Sequence, residues 1–361
     1  MIDTSYMPYQ LPPPLKPGDL LQVVTPSGAL RELEVFHKGI EIWRSRGYHL
    51  EMSDGWDARD GYLAGSDALR RQQLAAAWHN PECKAILCTR GGYGTARLLE
   101  NWTWETQNQE TGNKEKVESI KIKSHQSQVI SQNQEEFEIL ANSENLSLPS
   151  SFLTQNSKLK TQHSKWLIGF SDITNLLWSL YHSGICGVHG PVLTTIAAEP
   201  EWSINRLFDL VEGRHLKPLT GVGWGGGKVS GRLLPANLTV ATHLLGTPIQ
   251  PSLEGTILAL EDVTEAPYRI DRILTQWRMS GAFKGVCGIA LGRFSRCEAP
   301  HGIPSWTIAE VLRDRLGDLG IPIISDLPFG HDGVNAALPV GQFVELDGDN
   351  GILSWQVSQD S

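Results

Sequence analysis

The stretch WLIGFSDITNLLWSL, residues 166–180, decides the fold class of this chain. Its first part, Trp166 to Phe170, is a short apolar run typical of a buried strand. From Ile173 onwards, apolar residues recur three and four positions apart, which predicts a helix that Gly184 ends. A strand that turns into a helix in this way is the unit from which a parallel sheet covered by helices is built.

The same order of strand, turn and helix occurs near the N terminus. The apolar run at 20–24 ends in Thr-Pro-Ser-Gly at 25–28, and apolar residues at helical spacing follow over 33–43. Another strand of the buried type, at 85–89, runs into the turn Arg-Gly-Gly-Tyr-Gly at 90–94. This alternation of strands and helices predicts an α/β domain with a parallel sheet.

A glycine-rich segment precedes a second domain. Residues 220–227 hold five glycines in eight positions, which is typical of an interdomain hinge. The remainder mixes short strands with helices, the clearest of which begins at Pro267, a favoured first helical position. We expect an N-terminal α/β domain at 1–200, a linker helix and hinge at 201–230, and a smaller β-rich α+β domain at 231–361.

A polar segment at about residues 105–164 interrupts the first domain. Positions 107–163 hold 23 Gln, Asn and Ser among 57 residues. Such a composition cannot bury enough apolar surface to offset the entropy lost on ordering. We interpret the segment as a surface insertion of low order, with a partner-binding role as the alternative.

Composition argues against several classes of protein. Asp and Glu total 40 against 31 Lys and Arg, a net charge of −9, so the chain lacks the basic surface that nucleic acid requires. Five scattered cysteines form no Cys-x-x-Cys pair, and no His-Glu-x-x-His spacing points to a metal. No apolar run approaches the ~20 residues of a membrane span, and the N-terminal residues predict no secretory signal. We therefore expect a cytoplasmic protein without cofactor, metal, membrane or nucleic acid.

Ser171 lies at the predicted turn between strand and helix. There its hydroxyl would project above the carboxyl edge of the sheet, where open α/β sheets bind ligands. The main-chain N–H of Asp172 would face an oxyanion forming beside that hydroxyl. The turn resembles a nucleophile elbow, although Ile173 breaks the usual Gly-x-Ser-x-Gly pattern. Serine is also a common helix N-cap, and the two roles are compatible.

A nucleophilic serine needs a base and an acid that orients the base. His331, in a turn-rich loop, and His189, after a short strand, are both candidate bases. The strand that begins at Thr256 ends in Glu261 and Asp262. Side chains alternate across a strand, so only one of these two carboxylates can face a common site, and the pattern does not choose between them.

The turn at 90–94 is a second candidate element. Its glycines would let main-chain N–H groups approach a phosphate or an oxyanion, although the segment is no P-loop, and a simple tight turn is the alternative. Cys186 close to His189 could suggest a thiol nucleophile. However, Cys186 lies in an apolar run, which is typical of an inert core cysteine.

Taken together, these motifs resemble the LD-carboxypeptidase family of serine peptidases, also called muramoyltetrapeptide carboxypeptidases. The resemblance runs from about Pro17 to Gln356, interrupted by the polar segment. The blocks that carry it are 25–28, 90–94, 169–174, 189–191, 260–262 with 267–272, and 328–331.

The resemblance implies the roles of individual residues. It makes Ser171 the nucleophile, Glu261 the acid and His331 the base, with the main chain of Asp172 and Gly92 as oxyanion donors. It also implies a helix-covered N-terminal sheet, a smaller β-rich C-terminal domain, a homodimer and a site in the cleft between the domains. The implied reaction releases the terminal D-alanine of a murein tetrapeptide, at a bond between an L centre and a D residue, during cell-wall recycling.

Two further residues are candidates for substrate binding. Arg90 could pair with the free terminal carboxylate of a peptide, with a structural ion pair as the alternative. Asn237 follows Pro235 and Ala236, whereas the family usually has two glycines there, so we expect altered main-chain contacts.

Two other functions remain open from the sequence. One is a self-immunity peptidase of the same family, which cleaves an aminoacyl-nucleotide antibiotic. The other is a non-catalytic two-domain protein that closes on a small ligand.

Overall fold

A computed structural model describes Tyr9, residues 11–104 and residues 164–355. The helices of these residues are α1 (Leu33–Ser45), α2 (Asp67–His79), α3 (Thr174–His182), α4 (Glu201–Val211), α5 (Leu238–Thr242), α6 (Pro267–Met279) and α7 (Ile308–Leu316). The strands are β1 (Leu20–Val24), β2 (His49–Met52), β3 (Cys83–Cys88), β4 (Trp166–Gly169), β5 (Gly187–His189), β6 (Leu219–Thr220), β7 (Val222–Gly223), β8 (Lys228–Asn237), β9 (Thr256–Val263), β10 (Gly288–Ser295), β11 (Ile323–Ser325), β12 (Leu338–Val340), β13 (Phe343–Asp347) and β14 (Ile352–Trp355). The predicted insertion at about 105–164 lies almost entirely outside the described residues.

The first sheet has the strand order β12-β5-β4-β3-β1-β2. Strands β1 to β5 pair in parallel, and β12 adds an antiparallel edge strand from the C-terminal part of the chain. Side chains of α1 and α4 pack against this sheet in one apolar cluster that includes Phe36, Trp43 and Phe208. The predicted α/β fold with a helix-covered parallel sheet is confirmed.

The second sheet has eight strands in the order β6-β14-β13-β8-β9-β10-β11-β7. Strands β8 to β11 run parallel, and the remaining pairs are antiparallel. Because β6 and β7 are separated only by Gly221 yet lie at opposite ends of this order, they join its two ends and close the sheet. The closed mixed sheet with its helices is the β-rich α+β part expected from the sequence.

The glycine-rich segment at 220–227, which the sequence suggests is a hinge, takes part in this closure. A Cβ atom on Gly221 would lie 2.2 Å from the carbonyl oxygen of Ser325, and one on Gly223 would lie 2.3 Å from that of Gly348. Real side chains do not fit at such separations, so glycine is needed for the main-chain approach that closes the sheet.

The parallel strands place three loops at one edge of the first sheet. The carboxyl ends of β1, β3 and β4 are adjacent, since Val24 pairs with Cys88 and Leu87 pairs with Ile168. The segments that follow these strands therefore meet at the edge where open α/β sheets bind ligands. Among the residues described here, no helix has both the length and the apolar composition needed to cross a bilayer.

Gly39 on α1 offers a test of the packing on the first sheet. An alanine Cβ at this position would lie 2.0 Å from the carbonyl oxygen of Leu193. Alanine normally favours a helix over glycine by roughly 0.5–1 kcal/mol, but this overlap with main chain forces the helix to move. We expect Gly39→Ala to lower the free energy of unfolding by about 2 kcal/mol, measured by urea denaturation.

The matched control is Lys38→Ala, at the neighbouring exposed position of α1. It should change the free energy of unfolding by less than about 0.5 kcal/mol. A Gly39→Ala protein as stable as the wild type would contradict the close contact between α1 and the main chain at Leu193.

Candidate active site

Ser171 has a left-handed main-chain conformation, with φ at +63°. It begins a short 3₁₀ turn, Ser171–Ile173, between β4 and α3, and its N-cap residue is Phe170. No side-chain capping bond forms at this turn. The alternative in which Ser171 is a helix N-cap is therefore wrong. A non-glycine residue with positive φ is uncommon and costs conformational energy, and such residues concentrate at functional sites.

The glycine loop, residues 90–95, lies directly against Ser171. A Cβ on Gly91 would be 2.8 Å from Ser171 Cβ and 3.0 Å from Ser171 Oγ. Gly92 has φ at +122°, and a Cβ there would lie 3.4 Å from Gly28 Cα. Glycine at these positions lets the main chain of two loops close around the serine, which an anion-binding loop requires.

Glu261 and His331 form a direct contact, with His331 Nδ1 2.6 Å from Glu261 Oε2. The side chain of Glu261 is fully buried and that of His331 is 14% exposed. Asp262 turns elsewhere, because its Oδ2 accepts hydrogen bonds from the main-chain N–H and the hydroxyl of Thr239. The structure thus pairs Glu261 with His331, a choice that the sequence pattern left open.

Burial raises the pKa of Asp262 to about 6, with the neighbouring Glu261 carboxylate adding to the effect of burial, while hydrogen bonds from Thr239 and Val263 oppose it. The Asp262 carboxyl group beside Glu261 is therefore protonated more readily than a solvated aspartate.

Asn237 supports both carboxylates. Its Nδ2 donates to Glu261 Oε1 and to Asp262 Oδ1, each at 3.2 Å. Its Oδ1 accepts from the N–H of Val240 at the start of α5. The side chain is buried, so the structure places Asn237 beside Glu261, where its hydrogen bond orients that carboxylate.

His331 is next to the serine turn as well as to Glu261. Its ring lies 4.6 Å, between centroids, from that of Phe170, the residue that precedes Ser171. The loop that carries His331 is also held by the segment before α4, since Glu199 Oε2 accepts a 2.8 Å hydrogen bond from the N–H of Asn335. This bond joins residues 136 positions apart in the chain.

His189, the other candidate base, is fully buried. Its ring lies 5.9 Å from that of Phe170 and 6.3 Å from that of Phe329. Neither ring nitrogen has a hydrogen-bond partner among the described residues. Burial, together with the nearby His331, lowers the pKa of His189 to about 3. The imidazole is therefore a neutral part of the core beneath the site.

The surroundings of Arg90 fit a structural ion pair, and those of Cys186 fit an inert core cysteine, the alternatives given for these residues. Arg90 Nη1 donates to the carbonyl oxygen of Ala29 at 3.1 Å and pairs with Glu32 at 3.1 Å. Cys186 is buried, and burial raises the pKa of its thiol to about 12, so a thiolate is disfavoured. No group of three or more His, Cys, Asp or Glu suited to a metal ion occurs in the described ranges.

The sequence analysis missed the polar residues that underlie the site. Arg70 and Gln73 are buried on the inner face of α2, and Thr95 is buried beside Asp172. The sequence does indicate such a residue. Arg70 lies on the same apolar face of α2 as Leu74, and an arginine there needs polar partners.

Comparison with known proteins identifies the family. The model of the LD-carboxypeptidase N-terminal domain matches residues 21–116 and 152–190, and that of the LD-carboxypeptidase C-terminal domain matches residues 230–346. The chain belongs to the LD-carboxypeptidase family. The match to the N-terminal domain of the LD-carboxypeptidases is interrupted within the polar segment.

Relatives of the chain in the LD-carboxypeptidase family span nearly all of its length. A candidate carboxypeptidase from Synechocystis sp. is 52% identical over 95% of this chain and 96% of its own length. The murein tetrapeptide carboxypeptidase of Pseudomonas aeruginosa is 26% identical over 94% of each chain. The family is thus one of peptidases that includes murein tetrapeptide carboxypeptidases.

Two solved structures share the fold of the chain. The muramoyltetrapeptide carboxypeptidase of Oxalobacter formigenes superposes with a TM-score of 0.69 at 24% identity, covering 92% of this chain and 97% of its own. MccF in complex with glutamyl sulfamoyl guanosine gives a TM-score of 0.71 at 20% identity, covering 97% and 99%. At these identities the likeness establishes the two-sheet fold.

The buried His189 should make the stability of this protein pH-dependent. The folded state keeps the imidazole neutral down to about pH 3, whereas the unfolded chain takes up a proton below its ordinary value of 6.5. Because the unfolded state then binds more protons, stability falls as the pH falls between these values, by up to about 1.4 kcal/mol per pH unit. In His189→Leu this contribution should disappear.

The measurement is urea denaturation of wild type and His189→Leu at several values between pH 4 and pH 7. The free energy of unfolding should depend more steeply on pH in the wild type than in the variant. The difference in slope should correspond to the uptake of up to about one proton on unfolding. Parallel profiles would contradict a neutral, buried His189.

Proposed function

We propose that this chain is a serine LD-carboxypeptidase that releases the terminal D-alanine from a murein tetrapeptide. The observation that carries the proposal is the 2.6 Å contact between Glu261 and His331, formed next to the left-handed turn at Ser171 in a chain of this family. The bond cut lies between an L centre and the D-alanine, which fits a role in recycling cell-wall peptides.

In the first half of the reaction, Ser171 Oγ attacks the carbonyl carbon of the scissile amide and His331 Nε2 takes the hydroxyl proton. Glu261 accepts the hydrogen bond from His331 Nδ1, holds the productive tautomer and stabilises the imidazolium. His331 then gives the proton to the departing amine as the carbon–nitrogen bond breaks. D-alanine leaves, and the rest of the peptide remains as an ester on Ser171.

In the second half, His331 takes a proton from a water molecule that attacks the ester. The carbon–oxygen bond to Ser171 breaks, and the proton returns to the serine oxygen. The shortened peptide leaves with a new carboxylate, and the three side chains are restored without a cofactor.

Charge develops on the carbonyl oxygen in both halves. We propose the main-chain N–H groups of Asp172 and Gly92 as its donors, each worth roughly 3–4 kcal/mol by comparison with other serine peptidases. The close approach of Gly91 to Ser171 supports this assignment, because it brings the glycine loop within reach of the serine.

A carboxypeptidase must also bind the free carboxylate of its substrate. We propose Arg90 for this role, since it begins the glycine loop and its side chain is 25% exposed. Its present partner Glu32 is about half exposed, and ion pairs of this kind contribute only ~0–1 kcal/mol. The substrate carboxylate can therefore replace Glu32 on Arg90. The homodimer and the cytoplasmic location expected from the sequence stay predictions.

Release of D-alanine is the direct test. Purified protein incubated with the murein tetrapeptide should yield free D-alanine by mass spectrometry, and Ser171→Ala should lower the rate by about 10⁶-fold, as loss of the nucleophile does in other serine peptidases. No release by the wild type, or full release by Ser171→Ala, would overturn the proposal.

The same assay should include an aminoacyl sulfamoyl nucleotide as a second substrate. Turnover of that compound in preference to the tetrapeptide would instead assign the self-immunity activity. Tight binding of the tetrapeptide without turnover, and without labelling of Ser171 by a fluorophosphonate, would point to a ligand-binding protein.

The two adjacent carboxylates should respond differently to neutralisation. Glu261→Gln keeps the shape of the side chain but removes its negative charge and one of its two acceptor oxygens, so the imidazolium of His331 is no longer stabilised, and we expect kcat to fall by about 10³–10⁴-fold. Asp262→Asn is the matched control, because Asp262 bonds Thr239 and Asn237 but not His331. It should retain kcat within about tenfold.

Steady-state release of D-alanine by both variants checks this expectation, with melting temperatures recorded to separate folding from catalysis. A larger loss in Asp262→Asn than in Glu261→Gln would move the acid to Asp262.

A further inference from the structure

Two loops form the main-chain wall beside Ser171. We call residues 25–28 the first loop and residues 90–95 the glycine loop. They touch each other directly, since the N–H of Gly28 donates to the carbonyl oxygen of Gly91 at 3.3 Å. The glycine loop in turn lies against Ser171. The position of its N–H groups at the serine therefore depends on what holds the two loops together.

A buried cation ties the loops together on one side. Arg70 on α2 is fully buried, and its Nη1 donates to the carbonyl oxygen of Pro26 at 2.6 Å and to that of Gly94 at 2.9 Å. Asp67 accepts a hydrogen bond from its Nη2. Gly94 has φ at +123°, and a Cβ there would lie 2.8 Å from Arg70 Nη1, so the glycine makes room for the guanidinium.

The buried carboxylate of Asp172 links the two loops at Ser27 and Thr95, each one residue beyond a contact of Arg70. Asp172 Oδ2 accepts from Ser27 Oγ at 2.6 Å and from the N–H of Thr95 at 3.0 Å. Asp172 Oδ1 accepts from Asn175 Nδ2 at 3.2 Å. Asp172 is 3% exposed. Because it follows Ser171 in the chain, this carboxylate fixes both loops to the serine turn itself.

We propose that Arg70 and Asp172 are positioning residues that lock the first loop and the glycine loop to the serine turn and so hold the oxyanion-binding N–H groups in place. Each residue bridges the two loops, at Pro26 and Gly94 for the cation and at Ser27 and Thr95 for the anion. The oxyanion part of this inference rests on the proposed function, whereas the locking of the loops does not.

The chemistry of the two groups suits this task. Hydrogen bonds to an ionised group are about twice as strong as neutral ones, and a buried charge that loses its partners is costly. The loops are therefore confined to the arrangement that satisfies both charges. A site built this way needs no rearrangement when the oxyanion forms, which is the source of catalysis by fixed dipoles.

Substitution of Asp172 should weaken the binding of the transition state more than the binding of the substrate. In Asp172→Asn, either orientation of the amide sets an NH₂ group against an N–H donor, that of Thr95 or that of Asn175. An interaction made only in the transition state lowers kcat without raising KM when it is lost. We expect kcat for release of D-alanine to fall by about 10–10³-fold with KM within about twofold.

Arg70→Met and the milder Ser27→Ala are tested beside Asp172→Asn. Ser27→Ala removes a single hydrogen bond to Asp172 and should lower kcat by a smaller factor. The matched control is Lys165→Met, at the opposite end of β4. Lys165 is also a buried cation that binds two carbonyl oxygens at α2, those of Ala77 and Asn80. It should lower the melting temperature and leave kcat unchanged.

Hydrogen exchange measures the loops independently of any substrate. In Arg70→Met and Asp172→Asn, the amides of residues 89–95 should exchange at least tenfold faster than in the wild type, while Lys165→Met should show no change there. Unchanged exchange in both variants, or a kcat loss in Lys165→Met equal to theirs, would overturn the inference. Wild type without D-alanine release but with the expected exchange would refute the proposed reaction alone.

Discussion

The carboxylate of Glu261 is fully buried, and the structure around the site is arranged to give it partners. Polar groups buried without hydrogen bonds are strongly destabilising, and here the partners come from His331 and Asn237. Asn237 ends the strand beside Glu261 in the second sheet, while His331 arrives from a loop near the C terminus. These hydrogen bonds to Glu261 fix the positions of three segments, those around Asn237, Glu261 and His331, relative to each other.

Buried charges have a similar role elsewhere in the chain. Arg70 and Asp172 join loops at the serine turn, and Glu199 holds the loop that carries His331. Exposed pairs such as Lys38 with Glu34 contribute little to stability, because solvent screens them. A buried pair also adds little net stability, yet removing one partner is costly. These residues therefore specify geometry more than they add stability.

The sequence predicted much of the fold because local patterns decide its elements. The apolar run before Ser171 and the helical spacing after it correspond to β4 and α3, and glycines stand where the main chain approaches the serine. The hinge expected at 220–227 shows the limit of this reasoning. Glycine permits flexibility and close approach alike, and here Gly221 and Gly223 serve close approach within a closed sheet.

The sequence by itself determined the order of strands, turns and helices, the family resemblance and the short set of polar residues from which a site could be built. Only the tertiary structure decided that Glu261 rather than Asp262 contacts His331, that His189 is buried, and that Arg70 and Asp172 bridge the loops. The reason is physical. Periodicity reports which face of an element a residue occupies, whereas contact between residues far apart in the chain, such as Glu261 and His331 at 70 positions, depends on how whole sheets and loops pack.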